Sequence, residues 1–121
     1  MPKRIMTVDD SATIRTMLNL TLTSAGYEVV EACDGEEALA MLAAGSVDLL
    51  VTDLNMPNMD GIALAGAARK IPGSRFMPII MLSTESEGSK KTDARNAGVS
   101  AWLTKPFKAP QLVGVVQMVL F

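Results

Sequence analysis

Four short stretches of this 121-residue chain put reactive side chains where an apolar run stops. Asp9-Asp10 end "RIMTVDD", Asp53 interrupts "DLLVTDLNMPNMDG", Ser83-Thr84 follow "PIIML", and Thr104-Lys105 follow "SAWL". There is no histidine, and Cys33 is the single cysteine. Imidazole bases, Ser-His and Cys-His nucleophile systems, cysteine-based zinc sites and intrachain disulfides are therefore excluded. Any chemistry has to run on carboxylates, hydroxyls, lysine and a hard cation. If Asp9, Asp10 and Asp53 share one pocket, each pair at ~4 Å costs on the order of 4 kcal/mol at an effective dielectric near 20. Lys105 offsets part of that repulsion and a divalent cation offsets more. With oxygen ligands only, magnesium or manganese is the natural choice, retaining waters and leaving positions open to phosphate oxygens.

The elements that would gather these residues are legible in the hydrophobic pattern. Residues 4–8, 28–32, 47–52, 78–83 and 100–104 read as strands. The third and fourth are continuously apolar, as expected of strands covered on both faces. Between them, residues 11–25 place Ile14, Met17, Leu18 and Leu22 at helical spacing, with Gly26 as a stop. Asp34 and Glu37 form a capping-box pattern opening a helix to about Ala44. Asp60 is placed to cap a helix from Gly61 to Lys70, and Pro110 suits the first position of a last helix to about Leu120. The segment 86–98 has only alanines as apolar side chains, so it buries little and is the least firmly held helix. Strands alternating with helices imply an α/β fold: one parallel sheet with right-handed crossovers and helices on both faces. In such a sheet ligands sit beyond the carboxyl ends of the strands, where all four polar stretches lie.

Bland alternatives exist for each residue. Asp9 and Asp10 suit the N-terminus of a helix starting near Ala12, for which Ser11 is itself a good cap, and a lone Asp53 is an ordinary loop acid. It is the coincidence of polar strand ends at one edge that favours a pocket. Length and composition (49% hydrophobic, 20% charged) indicate one globular domain over residues 1–121. A net charge of −2 offers no attraction to nucleic acid or to an acidic membrane surface. No stretch approaches a membrane span or a signal sequence, so a cytoplasmic protein is expected.

Taken in order, "VDD", "TDLNMPNMDG", "IIMLS" and "KPF" resemble the receiver domain of bacterial two-component response regulators across essentially the whole chain. The wording "NMPNMDG" and the short length are most similar to the stand-alone chemotaxis members. The resemblance implies a flavodoxin-like, doubly wound five-stranded sheet in the order 2-1-3-4-5 with five helices. It implies that Asp53 accepts a phosphoryl group from a sensor histidine kinase. It also implies that Asp10, Asp53 and the backbone carbonyl of Asn55 ligate magnesium, with Asp9 acting mainly through water. By the same resemblance Lys105 and the Ser83 hydroxyl contact the phosphoryl oxygens, and a cis bond precedes Pro106.

Such a domain catalyses its own phosphorylation and dephosphorylation without being a conventional enzyme, and switches binding to an output partner such as a flagellar motor component. Trp102 stands where the family has Tyr or Phe. Three readings are open for it: a ring that rotates on activation, a fixed surface aromatic in a partner site, or a half-buried aromatic packing the fifth strand against the adjacent helix. Thr84 replaces a small residue, and Asn55 with Glu85 resemble the choices of members with a short-lived acyl phosphate. Competing readings are the receiver half of a DNA-binding regulator, a phosphate sink for a kinase, and a haloacid-dehalogenase-type phosphohydrolase. The last requires a second Asp two residues after its nucleophile, which "VDDSAT" lacks.

Overall fold

The computed structural model describes residues 2–84 and 88–120. The chain alternates strand and helix throughout: β1 (Arg4–Val8), α1 (Ala12–Ser24), β2 (Glu28–Ala32), α2 (Gly35–Ala44), β3 (Leu49–Asp53), α3 (Gly61–Ala68), β4 (Ile79–Ser83), α4 (Gly88–Asn96), β5 (Ala101–Thr104) and α5 (Ala109–Val119). All pairings are parallel and the order is β2-β1-β3-β4-β5. This is the expected doubly wound fold. Its topological switch lies between β1 and β3, the two strands that end in the acids.

Side-chain alternation along the strands separates two cores. Ile5, Leu49, Val51, Ile80 and Leu82 pack beneath Leu18 and Leu22 of α1 and Leu112 and Val116 of α5. Met6, Val8, Leu50 and Ile79 pack beneath Ala38 and Leu42 of α2 and Leu64, Ala65 and Ala68 of α3. Every residue of β3 and β4 is buried, as their unbroken hydrophobicity requires. Each fully buried leucine contributes about 1.5–3 kcal/mol, so these two strands anchor the sheet. By contrast, α4 buries only Ala94 among its described side chains.

Several boundaries differ from the sequence reading for local reasons. Strand β3 starts at Leu49, because Asp48 is drawn into a two-way contact with Arg4: its amide donates to the Arg4 carbonyl and its carboxylate accepts from the Arg4 amide. At the other end of β3, Asp53 pairs with Leu82 and is the last strand residue. In α1, Leu18 and Leu22 are fully buried and Ile14 partly, whereas Met17 is turned outward. Helix α3 stops at Ala68, with Arg69 as its cap. Helix α5 begins at Ala109, so Pro110 is its second residue, where the amide would also lack an intrahelical acceptor. Asp34 caps α2 through the Glu37 amide, but the Glu37 carboxylate reaches the Cys33 amide, one residue before the cap.

Candidate functional site

Strand parity decides which polar groups meet. Ile5, Thr7 and Asp9 alternate down one face of the β1 segment, and Leu49, Val51 and Asp53 down the same face of β3. Asp9 and Asp53 therefore emerge side by side above the α1/α5 core. Lys105 follows β5 with the parity of Leu103, another member of that core. Its ammonium donates to Asp53 Oδ1 at 2.9 Å and to Asp9 Oδ2 at 3.3 Å. Asp9 and Asp53 are both buried, and the Lys105 side chain is 17% exposed. Asp10 is exposed, yet one oxygen from each of Asp9, Asp10 and Asp53 lies within 4.8 Å of the others. Caps and pocket are thus not exclusive for this turn. Ser11 caps α1 through the Ile14 amide, while Asp9 Oδ1 accepts from the Ser11 amide and Asp9 Oδ2 faces Lys105. Asp60 takes the cap role alone, accepting from the Ala63 amide.

One ammonium shared by two carboxylates sets the electrostatics. Burial is the largest influence on Asp53 and pushes its carboxyl above the ordinary range. Lys105 pulls it back down, and Asp9 and Asp10 add to the rise. Burial alone would lower Lys105, but its hydrogen bond to Asp53 and the charges of Asp9 and Asp53 outweigh that, and its value rises. The Lys105 rise follows from an excess of negative charge around one ammonium, and the same excess adds to the rise that burial imposes on Asp53. Asp10→Asn is accordingly expected to stabilise the metal-free protein by on the order of 1 kcal/mol at low salt, with added salt shrinking the gain. Urea unfolding in the presence of a chelator checks this, and an unchanged or lowered midpoint contradicts it.

The other residues singled out in the sequence lie around this cluster. Ser83 ends β4, fully buried, one residue beyond Leu82, which pairs with Asp53. Thr84 follows it at the surface. Asn55 is exposed in the turn that returns to α3. That turn is held by the Leu54 amide on the Leu82 carbonyl and by the Gly61 amide on the Leu54 carbonyl, with Asn58 at a left-handed φ of 71°. The Lys105–Pro106 peptide is cis. Glu85, and the 86–87 portion of the segment read as a helix over 86–98, lie outside the described residues. Trp102 is half-buried on β5, its ring faced by the Lys91 ammonium of α4 at 6.0 Å and its indole N–H buried.

A group the sequence reading passed over touches the cluster from below. Arg15 donates through Nη1 to the Asp9 carbonyl at 2.6 Å, and its Nε lies 3.4 Å from Glu31 Oε1. The available signal was that Arg15 is the single charged residue of α1. Its partner Glu31 is a surface acid in sequence and becomes a neighbour only through the β1–β2 register, which sets Glu31 opposite Thr7.

Comparison with known proteins agrees with this fold. The family model described as the response regulator receiver domain matches residues 5–117. The chain is 39% identical over 110 residues to the chemotaxis protein CheY of Pseudomonas aeruginosa, covering 90% of this chain and 89% of that one. Its fold superimposes on the Vibrio cholerae chemotaxis protein CheY4 with a TM-score of 0.96 at 41% identity, covering 99% of this chain and all of the other. The receiver domain of a Pseudomonas aeruginosa sensor histidine kinase, solved with a magnesium ion coordinated in the active site cleft, superimposes with a TM-score of 0.90 at 27% identity over 99% of this chain and 98% of that one. With the family pattern running from β1 to α5 and the acid–lysine cluster at its sheet edge, this chain belongs to the response regulator receiver domain family.

Proposed function

We propose that residues 1–121 act as a phosphoryl-accepting switch in which Asp53 is the acceptor. A sensor histidine kinase is the donor and magnesium is required. The observation that carries this reading is the Lys105 ammonium bonded to both Asp53 and Asp9 while Asp10 completes a cluster of three carboxylate oxygens within 4.8 Å. The donor set fits a hard divalent cation. It consists of oxygen alone, it is over-charged for a single lysine, and Asp10 stands at its solvent side. Asp10, Asp53 and the Asn55 carbonyl would hold magnesium, with Asp9 reaching it through water. When bound, the ion would neutralise charge on the phosphoryl oxygens and lower the repulsion among the acids.

The protein's own groups do the rest. The Asp53 carboxylate oxygen forms the new bond to phosphorus as the donor's phosphorus–nitrogen bond breaks, and the leaving imidazole keeps that electron pair. Lys105 balances charge spreading over the transferring oxygens, and the Ser83 hydroxyl donates to one of them. Later attack by water at phosphorus releases inorganic phosphate and restores Asp53. Phosphorylation adds about −1.5 to −2 charges beside β4 and β5. That charge acts on the neighbouring α4, which buries a single alanine among its described side chains, and alters a partner-binding surface there. Likeness to chemotaxis proteins supports a flagellar motor component as partner, and donation by a sensor kinase supports a cytoplasmic site of action. Among the described residues no helix is long and apolar enough to cross a membrane.

Incubation with a small donor such as acetyl phosphate is expected to add one phosphoryl group in the presence of magnesium and none after chelation, read by intact mass. Equal incorporation with and without chelator contradicts the proposal.

A further inference from the structure

We infer that Arg15, oriented by Glu31 and Asn19, is a positioning residue that sets the direction of the Asp10 carboxylate. The inference rests on the acid cluster being a magnesium-dependent phosphoryl site. Asp9 is held at every polar atom. Its amide donates to the Ala32 carbonyl at 3.3 Å, its carboxylate accepts from the Ser11 amide at 2.9 Å and from Lys105 at 3.3 Å, and its carbonyl accepts from Arg15 at 2.6 Å. The Asp10 carboxylate has no hydrogen-bond or ion-pair partner among the described residues. Among the described residues, protein groups therefore act on its direction only through its backbone. The peptide that delivers that backbone is the Asp9–Asp10 unit, whose carbonyl Arg15 grips.

The grip is itself braced. Arg15 is 19% exposed in its side chain and α1 carries no other charge. Its Nε faces Glu31 Oε1 at 3.4 Å, and Glu31 Oε2 accepts from Asn19 Nδ2 at 2.9 Å. Asn19 lies one turn along α1 from Arg15, so the two side chains reach over the same edge strand and clasp the same carboxylate. The planar guanidinium is suited to bridging a carbonyl and a carboxylate at once, which a lysine ammonium does with poorer geometry.

Charge and positioning make opposite predictions here. A cation beside the acids repels magnesium, so if Arg15 acts only through its charge, neutralising it tightens magnesium binding. If Arg15 aims Asp10, the same change weakens it, because partners that orient metal ligands are worth roughly 10–100-fold in affinity or activity. The experiment is calorimetric titration of magnesium chloride into the full chain at constant ionic strength, for the native protein, Arg15→Gln, Glu31→Gln, Asn19→Ala and the charge control Arg4→Gln. Arg4 pairs with Glu28 at the opposite end of the same strand pair. Urea midpoints and phosphoryl uptake are recorded alongside.

The expected result is about 10-fold weaker magnesium binding in Arg15→Gln, smaller losses of the same sign in Glu31→Gln and Asn19→Ala, and no change in Arg4→Gln. Equal or tighter binding in Arg15→Gln overturns the inference. If Arg15→Gln does not fold, unchanged affinity in both Glu31→Gln and Asn19→Ala overturns it, and a loss in both supports it. A native protein that neither binds magnesium nor takes up phosphoryl groups removes the underlying proposal, and this inference with it. Native binding combined with unweakened variants removes the inference alone.

Discussion

Lys105→Ala is expected to take up phosphoryl groups about 10²–10³-fold more slowly than the native chain at saturating magnesium and donor. That is the scale of removing one preorganised donor from a charge-developing oxygen. Lys105 is the only cation bonded to the cluster's carboxylate oxygens among the described residues, and it holds two of the three acids at once. The substitution also leaves buried Asp9 and Asp53 facing each other. Breaking a buried pair by removing one partner costs about 3–5 kcal/mol, and the partial exposure here moves the expectation to about 2–3 kcal/mol without metal.

The pH dependence carries a definite sign. Asp53 is raised in the folded state, so its contribution favours folding below the ordinary carboxylate range and is lost as pH rises through its folded value. In Lys105→Ala the influence holding Asp53 down is gone, so its value climbs further and the stability deficit at neutral pH shrinks on acidification. In the native protein the raised Lys105 contributes in the opposite range. While its carboxylate partners stay ionised, its pairing supports folding below the ordinary lysine value, and at the alkaline end it is lost as pH rises through its folded value. Urea unfolding of both proteins across pH, with stopped-flow phosphoryl uptake, measures both effects. A variant with native rate and native stability at neutral pH contradicts this account of Lys105.

Gly61→Ala is expected to cost about 2–4 kcal/mol, at the upper end of overpacking penalties. A Cβ built at Gly61 falls 2.4 Å from the Asp53 carbonyl oxygen and 2.6 Å from Met81 Sδ. Met81 is fully buried and the other neighbour is backbone, so neither yields cheaply. Relief requires the start of α3 to move off the end of β3, breaking the 2.8 Å bond from the Gly61 amide to the Leu54 carbonyl. The segment displaced is the one carrying Asp53, so phosphoryl uptake falls along with stability. Gly114→Ala is the counterpart: nothing lies within 4 Å of its would-be Cβ in the exposed middle of α5. There the better helix propensity of alanine is expected to add about 0.5–1 kcal/mol. Equal effects of the two substitutions in urea unfolding contradict the packing argument.

These two residues show what a sequence reveals and what it conceals. Lys105, Asp9, Asp10 and Asp53 were legible because each ends an apolar run, and in a parallel sheet all strands end at one edge. Local pattern and topology point the same way there. Gly61 was legible only as the first residue of a helix capped by Asp60, since its contact with the Asp53 carbonyl exists only once α3 is laid across β3. The Arg15–Glu31–Asn19 group was hidden for a related reason: it spans α1 and β2, and which acid faces Arg15 depends on the strand register. Met17 illustrates a different limit. Its spacing fits the apolar stripe of α1, but Leu18 and Leu22 fill the core and leave it at the rim. The weak burial of α4 followed directly from composition, because alanines offer little area wherever they land.

Every role proposed for the site requires that Asp53 become the acyl phosphate. Reductive trapping with borohydride after magnesium-dependent phosphorylation converts an aspartyl phosphate to homoserine, which peptide sequencing places. Homoserine is expected at position 53 alone, with no phosphoryl incorporation in Asp53→Asn. Homoserine at Asp9, Asp10 or any other acid, or undiminished incorporation in Asp53→Asn, would contradict it.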